Sequence, residues 1–359
     1  MNMRRLLLLL LFAAPGAAAD YRVETIAEGL EFPWSVAFLP DGALLVTERS
    51  GTLRVIRDGQ LAAQPVAGVP DVFVQSQAGL FDVVLDPDFE NNRQLYLSYA
   101  HGRHGRNATR VMRATFDGAA LSDQQVIFTA TPWKPGPNHF GGRMAFLPDG
   151  TLLLTTGEDF DWREKAQLLD NHLGKIIRIN TDGSVPRDNP FTGSDAALPE
   201  IYSYGHRNPQ AILVSGDGVI WMHEHGPAGG DELNVIEPGL NYGWPVITYG
   251  RDYSGARISP YTEYEGMQQP VTYWVPSIAP AGMALYDGEL FPDWRGDLFV
   301  AALVERSVRR LDVDDGRIVG QEILLQELGE RIRDVRAGPD GALYVLTDSA
   351  AGKVLRVAP

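Results

Sequence analysis

The sequence predicts an all-β chain folded as a six-bladed β-propeller of four-stranded antiparallel blades, and three observations predict it. A turn followed by a short alternating apolar strand recurs six times along the 359 residues. Returning strands that end in Arg plus an aliphatic residue follow several copies. No amphipathic helical period of useful length competes with them, which disfavours an α/β arrangement.

The copies run in order. Phe38-Leu39-Pro40-Asp41-Gly42 precedes the strand Ala43 to Glu48, and Leu85-Asp86-Pro87-Asp88-Phe89 precedes Gln94 to Tyr99. Phe146-Leu147-Pro148-Asp149-Gly150 precedes Thr151 to Glu158, and Ser215-Gly216-Asp217-Gly218 precedes Val219 to Glu224. Phe291-Pro292-Asp293-Trp294 stands before Asp297 to Ala302, and Gly338-Pro339-Asp340-Gly341 before Ala342 to Asp348. Each copy reads as a hairpin: Pro and Asp initiate the turn, Gly supplies a positive φ, and the flanks alternate with period two. Thr52 to Ile56, Lys175 to Ile179 and Lys353 to Val357 supply return strands. A β-sandwich is the structural alternative, but it gives no reason for six similar turns. The insertions near residues 132–143, 158–172, 200–212 and 223–283 are expected to gather on one face, where chemistry is sought.

Residues 1–19 read as a secretory leader: Arg4 and Arg5 precede the apolar run Leu6 to Ala14, and Ala17, Ala18 and Ala19 precede Asp20. Residues 20–359 are then one propeller domain, periplasmic or secreted, with no later stretch apolar enough to span a membrane. The formal charge of −15 disfavours nucleic acid and anionic lipid, and suits neutral substrates and cations. With no cysteine, stability has to come from a large core.

Four polar constellations interrupt the strands. In Asn138-His139-Phe140-Gly141-Gly142-Arg143 a histidine sits among flexible residues, as a base or as an ordinary loop histidine. Gly205-His206-Arg207-Asn208-Pro209-Gln210 is a dense donor set that can hold an anion or merely cap its own loop. Glu224 to Glu232 combines carboxylates with Gly-rich backbone whose carbonyls suit calcium, whereas the His223-x-His225 pair lacks an evident third ligand for zinc. Arg331-Ile332-Arg333 puts two guanidinium groups on one side of an extended strand, either a carboxylate clamp or a pair of edge-strand surface charges.

Taken together, GHRNPQ, the Glu224 to Pro245 stretch, Gln77-Ala78-Gly79-Leu80, the His139 segment and the RIRDV strand resemble the soluble aldose sugar dehydrogenases that use pyrroloquinoline quinone (PQQ) and calcium. The resemblance covers nearly the whole mature chain in the same order. It implies that His139 is the general base, that Arg207 and Asn208 contact quinone oxygens and that Gln77 lies beside the reacting centre. It also implies that the Gly226 and Pro227 carbonyls hold a catalytic calcium, with Asp231, Glu232 and the Tyr242 carbonyl at a structural one. Arg331 and Arg333 would bind PQQ carboxylates, with Ser277 at a cofactor-contacting position. The implied partners are an aldose sugar and an external electron acceptor.

The chain departs from that pattern at Val304, where the glucose enzymes of the family carry a cofactor-binding lysine, at Asn138 and at Glu158, both aspartate in those enzymes. It is also shorter, which predicts a more open cleft. Two rivals stand beside this reading: a calcium-dependent propeller lactonase or esterase, and a non-catalytic propeller that binds protein or glycan.

Overall fold

The computed structural model describes residues 21–359, so the leader expected over residues 1–19 lies outside the described residues. Six four-stranded antiparallel sheets form a ring. The first blade is Pro33–Phe38, Leu44–Glu48, Thr52–Arg57 and Gln60–Leu61; the second is Leu80–Leu85, Gln94–Arg103, Arg106–Phe116 and Leu121–Thr129. The third is Met144–Phe146, Leu152–Thr156, Lys175–Ile179 and Ile201–Tyr204, and the fourth Pro209–Val214, Ile220–Glu224, Asp231–Val235 and Thr272–Trp274. The fifth is Pro280–Leu285, Leu298–Ala302, Ser307–Asp314 and Arg317–Leu324. The sixth, Ile332–Ala337, Leu343–Thr347 and Gly352–Ala358, takes its fourth strand from Arg22–Leu30. Every predicted turn joins a blade's first strand to its second, and the closing strand Arg22–Leu30 carried no such signal.

Apolar residues on facing blades interlock, as where Leu45 and Leu53 of the first meet Leu80, Leu95 and Leu97 of the second. The first strands of neighbouring blades touch and line a central channel. Across it lies a buried ionic plug. Arg143 Nη2 is 3.1 Å from Asp334 Oδ1, Arg336 Nε is 3.0 Å from Asp334 Oδ2, and Arg336 Nη2 is 3.4 Å from Asp82 Oδ1. Gly282 is required beside it, because a Cβ there would lie 1.8 Å from Asp334 Oδ1. The plug separates two openings: a cavity of about 220 Å³ at the end where first strands begin, and a funnel of about 500 Å³ at the other. Among the described residues no helix is long and apolar enough to cross a membrane.

Candidate functional site

Antiparallel order puts the start of each first strand and the end of each second strand at one rim of the ring. Residues flanking those points build the smaller cavity: Gln77, Gly141, Arg331 and Arg333 precede or open first strands, while Arg49 and His225 follow second strands. Three predicted insertions connect at this rim. The fourth, expected over 223–283, is interrupted by the strands Asp231–Val235 and Thr272–Trp274, and the segment between them starts at the opposite end and climbs, pairing Asn241 with Tyr204 and then Arg251 with Ala228.

Guanidinium groups are in excess here. Arg331 Nε donates to Asp348 Oδ2 at 3.0 Å and Arg333 Nη2 to Asp348 Oδ1 at 3.2 Å, so one carboxylate serves both. Burial raises the Asp348 carboxyl, but the charges of Arg333 and Arg331 overcome this and leave it below its ordinary value. Arg49 adds another cation, with its guanidinium 4.5 Å from the Phe32 ring centre. Trp34, Phe81 and Phe140 stand in a row with successive centroids 5.4 Å apart and planes tilted by 48° and 42°, and give the cavity an apolar aromatic wall. Val304, at the position of the family lysine, is 61% exposed, and its neighbour Leu303 lines the cavity. Arg49 therefore supplies a positive charge that the sequence reading lacked.

His139 lies beside this cavity in a left-handed conformation, φ 50°. Its N–H donates to Gln77 Oε1 at 2.9 Å, and buried Lys134 Nζ donates to its carbonyl at 3.0 Å and to that of Asn138. Gly157 permits the close approach, since a Cβ there would lie 2.4 Å from the His139 carbonyl oxygen. His139 Nδ1 is 3.2 Å from Glu158 Oε2. Burial, then the charges of Arg207, Lys134 and Arg163, hold the imidazole well below its ordinary pKa, so it is neutral. Burial also pushes Glu158 up to about 7, against the pull of Arg207 and Lys134. Once ionised, Glu158 accepts Nδ1–H and leaves Nε2 as the basic nitrogen. The pair is therefore an oriented neutral base rather than an ion pair.

The Arg207 turn is fixed by Glu224, whose Oε1 is 3.0 Å from His206 Nδ1 and whose Oε2 accepts the Arg207 N–H. Arg207 Nη1 donates to the Gly226 carbonyl at 2.7 Å and to that of His225 at 3.2 Å. Both carbonyls therefore already have a guanidinium donor. Asn208 Oδ1 accepts from Gly141 N–H at 3.3 Å and from Gln210 Nε2 at 3.2 Å.

Gly226, Glu232 and Tyr242 share one small pocket with Glu224. Burial, then the charge of Glu224 opposite it, holds Glu232 well above its ordinary pKa, so this acid pair suits an oxygen-coordinated divalent cation. Pro227 adjoins that pocket in sequence. Asp231 is used differently: its Oδ1 accepts Gly226 N–H at 2.9 Å, and its Oδ2 accepts Ser277 Oγ–H at 2.7 Å and Ile278 N–H at 2.8 Å. It holds the Gly226 loop and the Ser277 turn in register. Ser277 turns its hydroxyl to Asp231, and Ala279 lines the cavity in its place. His223 is buried, whereas His225 lines the cavity and places Nε2 2.7 Å from the Pro280 carbonyl, so the two do not act as a metal pair.

Sequence reasoning missed Arg49, Lys134 and Asp348, and weighed His225 only as half of a zinc pair. For three of these a signal existed, because Arg49, His225 and Asp348 follow the second strand of a copy just as Glu158 does. Lys134 has none: it is a single charge in a proline-rich loop.

The sequence matches the Glucose / Sorbosone dehydrogenase family over residues 30–356. It is 43% identical to aldose sugar dehydrogenase YliI of Escherichia coli K12 over 357 residues, covering 97% of this chain and 95% of that one. A crystal structure of a glucose dehydrogenase superposes with a TM-score of 0.91 at 45% identity, covering 94% and 99% of the two chains. The PQQ-bound form of the aldose sugar dehydrogenase from Streptomyces coelicolor superposes with a TM-score of 0.79 at 28% identity, covering 95% and 99%.

Proposed function

This chain belongs to the Glucose / Sorbosone dehydrogenase family, and from that membership we propose that it is a PQQ-dependent aldose sugar dehydrogenase that oxidises the anomeric carbon to a lactone. The observation that carries the reading is an aromatic-walled cavity with guanidinium charge in excess, set beside a neutral histidine held by a carboxylate. PQQ is a planar tricarboxylate that accepts a hydride when bound. Arg331, Arg333 and Arg49 fit its carboxylates, and the row of Trp34, Phe81 and Phe140 fits its ring. Calcium is proposed at the Gly226 and Pro227 carbonyls, where it would replace the Arg207 Nη1 donor of Gly226, with a structural ion at Glu232 and the Tyr242 carbonyl.

The residues of the chain supply the rest of the chemistry. His139 Nε2 takes the proton of the anomeric hydroxyl as hydride leaves that carbon. Glu158 fixes the imidazole tautomer, Gln77 fixes its backbone, and Lys134 braces the loop from behind. Arg207 and Asn208 are the residues proposed to stabilise negative charge on a carbonyl oxygen of the acceptor. Electrons then pass to an external acceptor. A periplasmic or secreted location belongs to the same proposal and is supported by the leader pattern of residues 1–19.

The lactonase rival requires carboxylate and amide ligands converging on the central channel; the two carboxylates there, Asp82 and Asp334, are taken up by Arg143 and Arg336, and arginines line the rim cavity. Purified apoprotein titrated with PQQ, with and without calcium, then given an aldose panel and a dye acceptor, tests the reading. Aldose-dependent dye reduction that needs both additives is the expected result. Full activity without either, or ester hydrolysis by calcium-loaded protein alone, overturns it.

A further inference from the structure

A row of aromatic rings starts at His139 and runs outward to solvent. Phe160 packs edge-on to the imidazole with centroids 5.3 Å apart, and Tyr253 stacks on Phe160 at 6.1 Å and 17°. Tyr253 is 63% exposed, so a large hydrophobic ring stands open two steps from the base. Its position is fixed from both sides. Arg163 Nη2 reaches Asp252 Oδ2 at 2.6 Å, and Asp252 Oδ1 accepts Ser254 N–H at 3.0 Å. Arg163 follows the second strand of the third blade and Asp252 belongs to the climbing segment of the fourth, so an ion pair bolts the two loops together. Phe160 holds φ at 66°, a left-handed conformation that a bulky residue rarely adopts and that surrounding contacts must maintain.

We propose that Tyr253, backed by Phe160, is the stacking platform of a second sugar subsite. It takes the pyranose next to the reducing-end residue of a disaccharide or longer aldose oligosaccharide. The inference rests on the aldose dehydrogenase reading, because oxidation at the anomeric carbon requires the reducing-end ring to lie at His139. The remainder of the sugar then extends away from the closed cavity, along the only direction in which the aromatic row leads. A pyranose offers a flat C–H face to an aromatic ring, and neutral stacking suits a neutral sugar rather than an anion.

The experiment compares kcat/KM for maltose and glucose in protein reconstituted with PQQ and calcium, using parent, Tyr253→Ala and Tyr253→Phe. Reduction of the bound cofactor is read in a single turnover, which removes the external acceptor. Loss of one aromatic contact should lower the maltose-to-glucose ratio by about three- to tenfold in Tyr253→Ala, with Tyr253→Phe restoring it. Calorimetric titration with methyl α-maltoside and methyl α-glucoside, whose blocked anomeric carbon prevents oxidation, should show the same loss for the disaccharide. An unchanged ratio overturns the subsite, as does an equal loss for both sugars. A variant altered only in its KM for an aromatic dye acceptor also overturns it and makes the platform an acceptor dock. Parent protein that oxidises neither sugar instead overturns the dehydrogenase reading itself.

Discussion

Two sets of arginines stand on or beside the first strands and handle their charge in opposite ways. Arg143 and Arg336, within the channel, face Asp82 and Asp334, two cations against two anions. Arg331 and Arg333, toward the rim, share Asp348, and Arg49 joins them with its guanidinium over a phenyl ring. The balanced set closes the channel, and the unbalanced set leaves positive charge for an anionic ligand. Burial does not separate the two roles, because Arg143 and Arg333 are both buried. The local count of countercharges does.

The largest expected effect lies at the rim. His139→Asn keeps a side chain that tolerates a positive φ but cannot take a proton, so single-turnover cofactor reduction should fall by roughly 10² to 10⁴. PQQ affinity measured by fluorescence titration should stay within a few-fold; near-parental reduction would move the base elsewhere. Next, Arg143→Met leaves buried Asp82 and Asp334 with one cation, and urea unfolding should show a loss of about 3–5 kcal/mol. A loss below about 1 kcal/mol would mean that the plug is wet and its charges screened.

Arg333→Met should do the reverse. PQQ binding should weaken by about 10- to 100-fold through a lost charge-assisted contact, while stability falls less than in Arg143→Met. Equal stability losses in the two variants would erase the distinction between the sets. The rim also titrates in the working range. With Glu158 ionising at about 7, the single-turnover rate should rise as pH increases from 6 to 8, by about tenfold, because the neutral acid can donate its O–H to Nδ1 and leave the proton on Nε2, whereas the carboxylate holds Nδ1–H. Glu158→Gln should flatten that rise, and a persisting limb would assign it to another group. The smallest effect is expected at Val304→Lys: an exposed rim lysine should tighten PQQ binding by less than about tenfold, since its charge is largely solvated.

The propeller was legible because each first hairpin carries its own turn chemistry, from Pro40-Asp41-Gly42 to Pro339-Asp340-Gly341. Local signals of this kind survive without knowledge of the fold. Arg22–Leu30 was not legible as a closing strand, because its partner Gly352–Ala358 lies at the far end of the sequence and no turn joins them. The same limit divides the site. His139, Arg207 and the Arg331-x-Arg333 pair stand out in their own loops, whereas the hold of Lys134 on the His139 carbonyl depends on how one loop folds back. Asp231 shows a subtler gap: its residue type suits a metal, yet its backbone surroundings make it a hydrogen-bond hub.

The pairing of Arg22–Leu30 with Gly352–Ala358 also governs the order in which the molecule can be assembled. Strand Arg22–Leu30 is made first among the described elements but has no partner until Gly352–Ala358 exists, so the sixth blade can be completed only after the other five have been synthesised. Until then the strand presents unpaired backbone N–H and C=O groups, a template for association with other chains. Contacts this distant in sequence are slow to form, because loop-closure entropy is lost before the contact energy is gained. A ring clasped this way should unfold as one cooperative unit, and a cut that frees Gly352–Ala358 should release an aggregation-prone intermediate rather than a trimmed native protein.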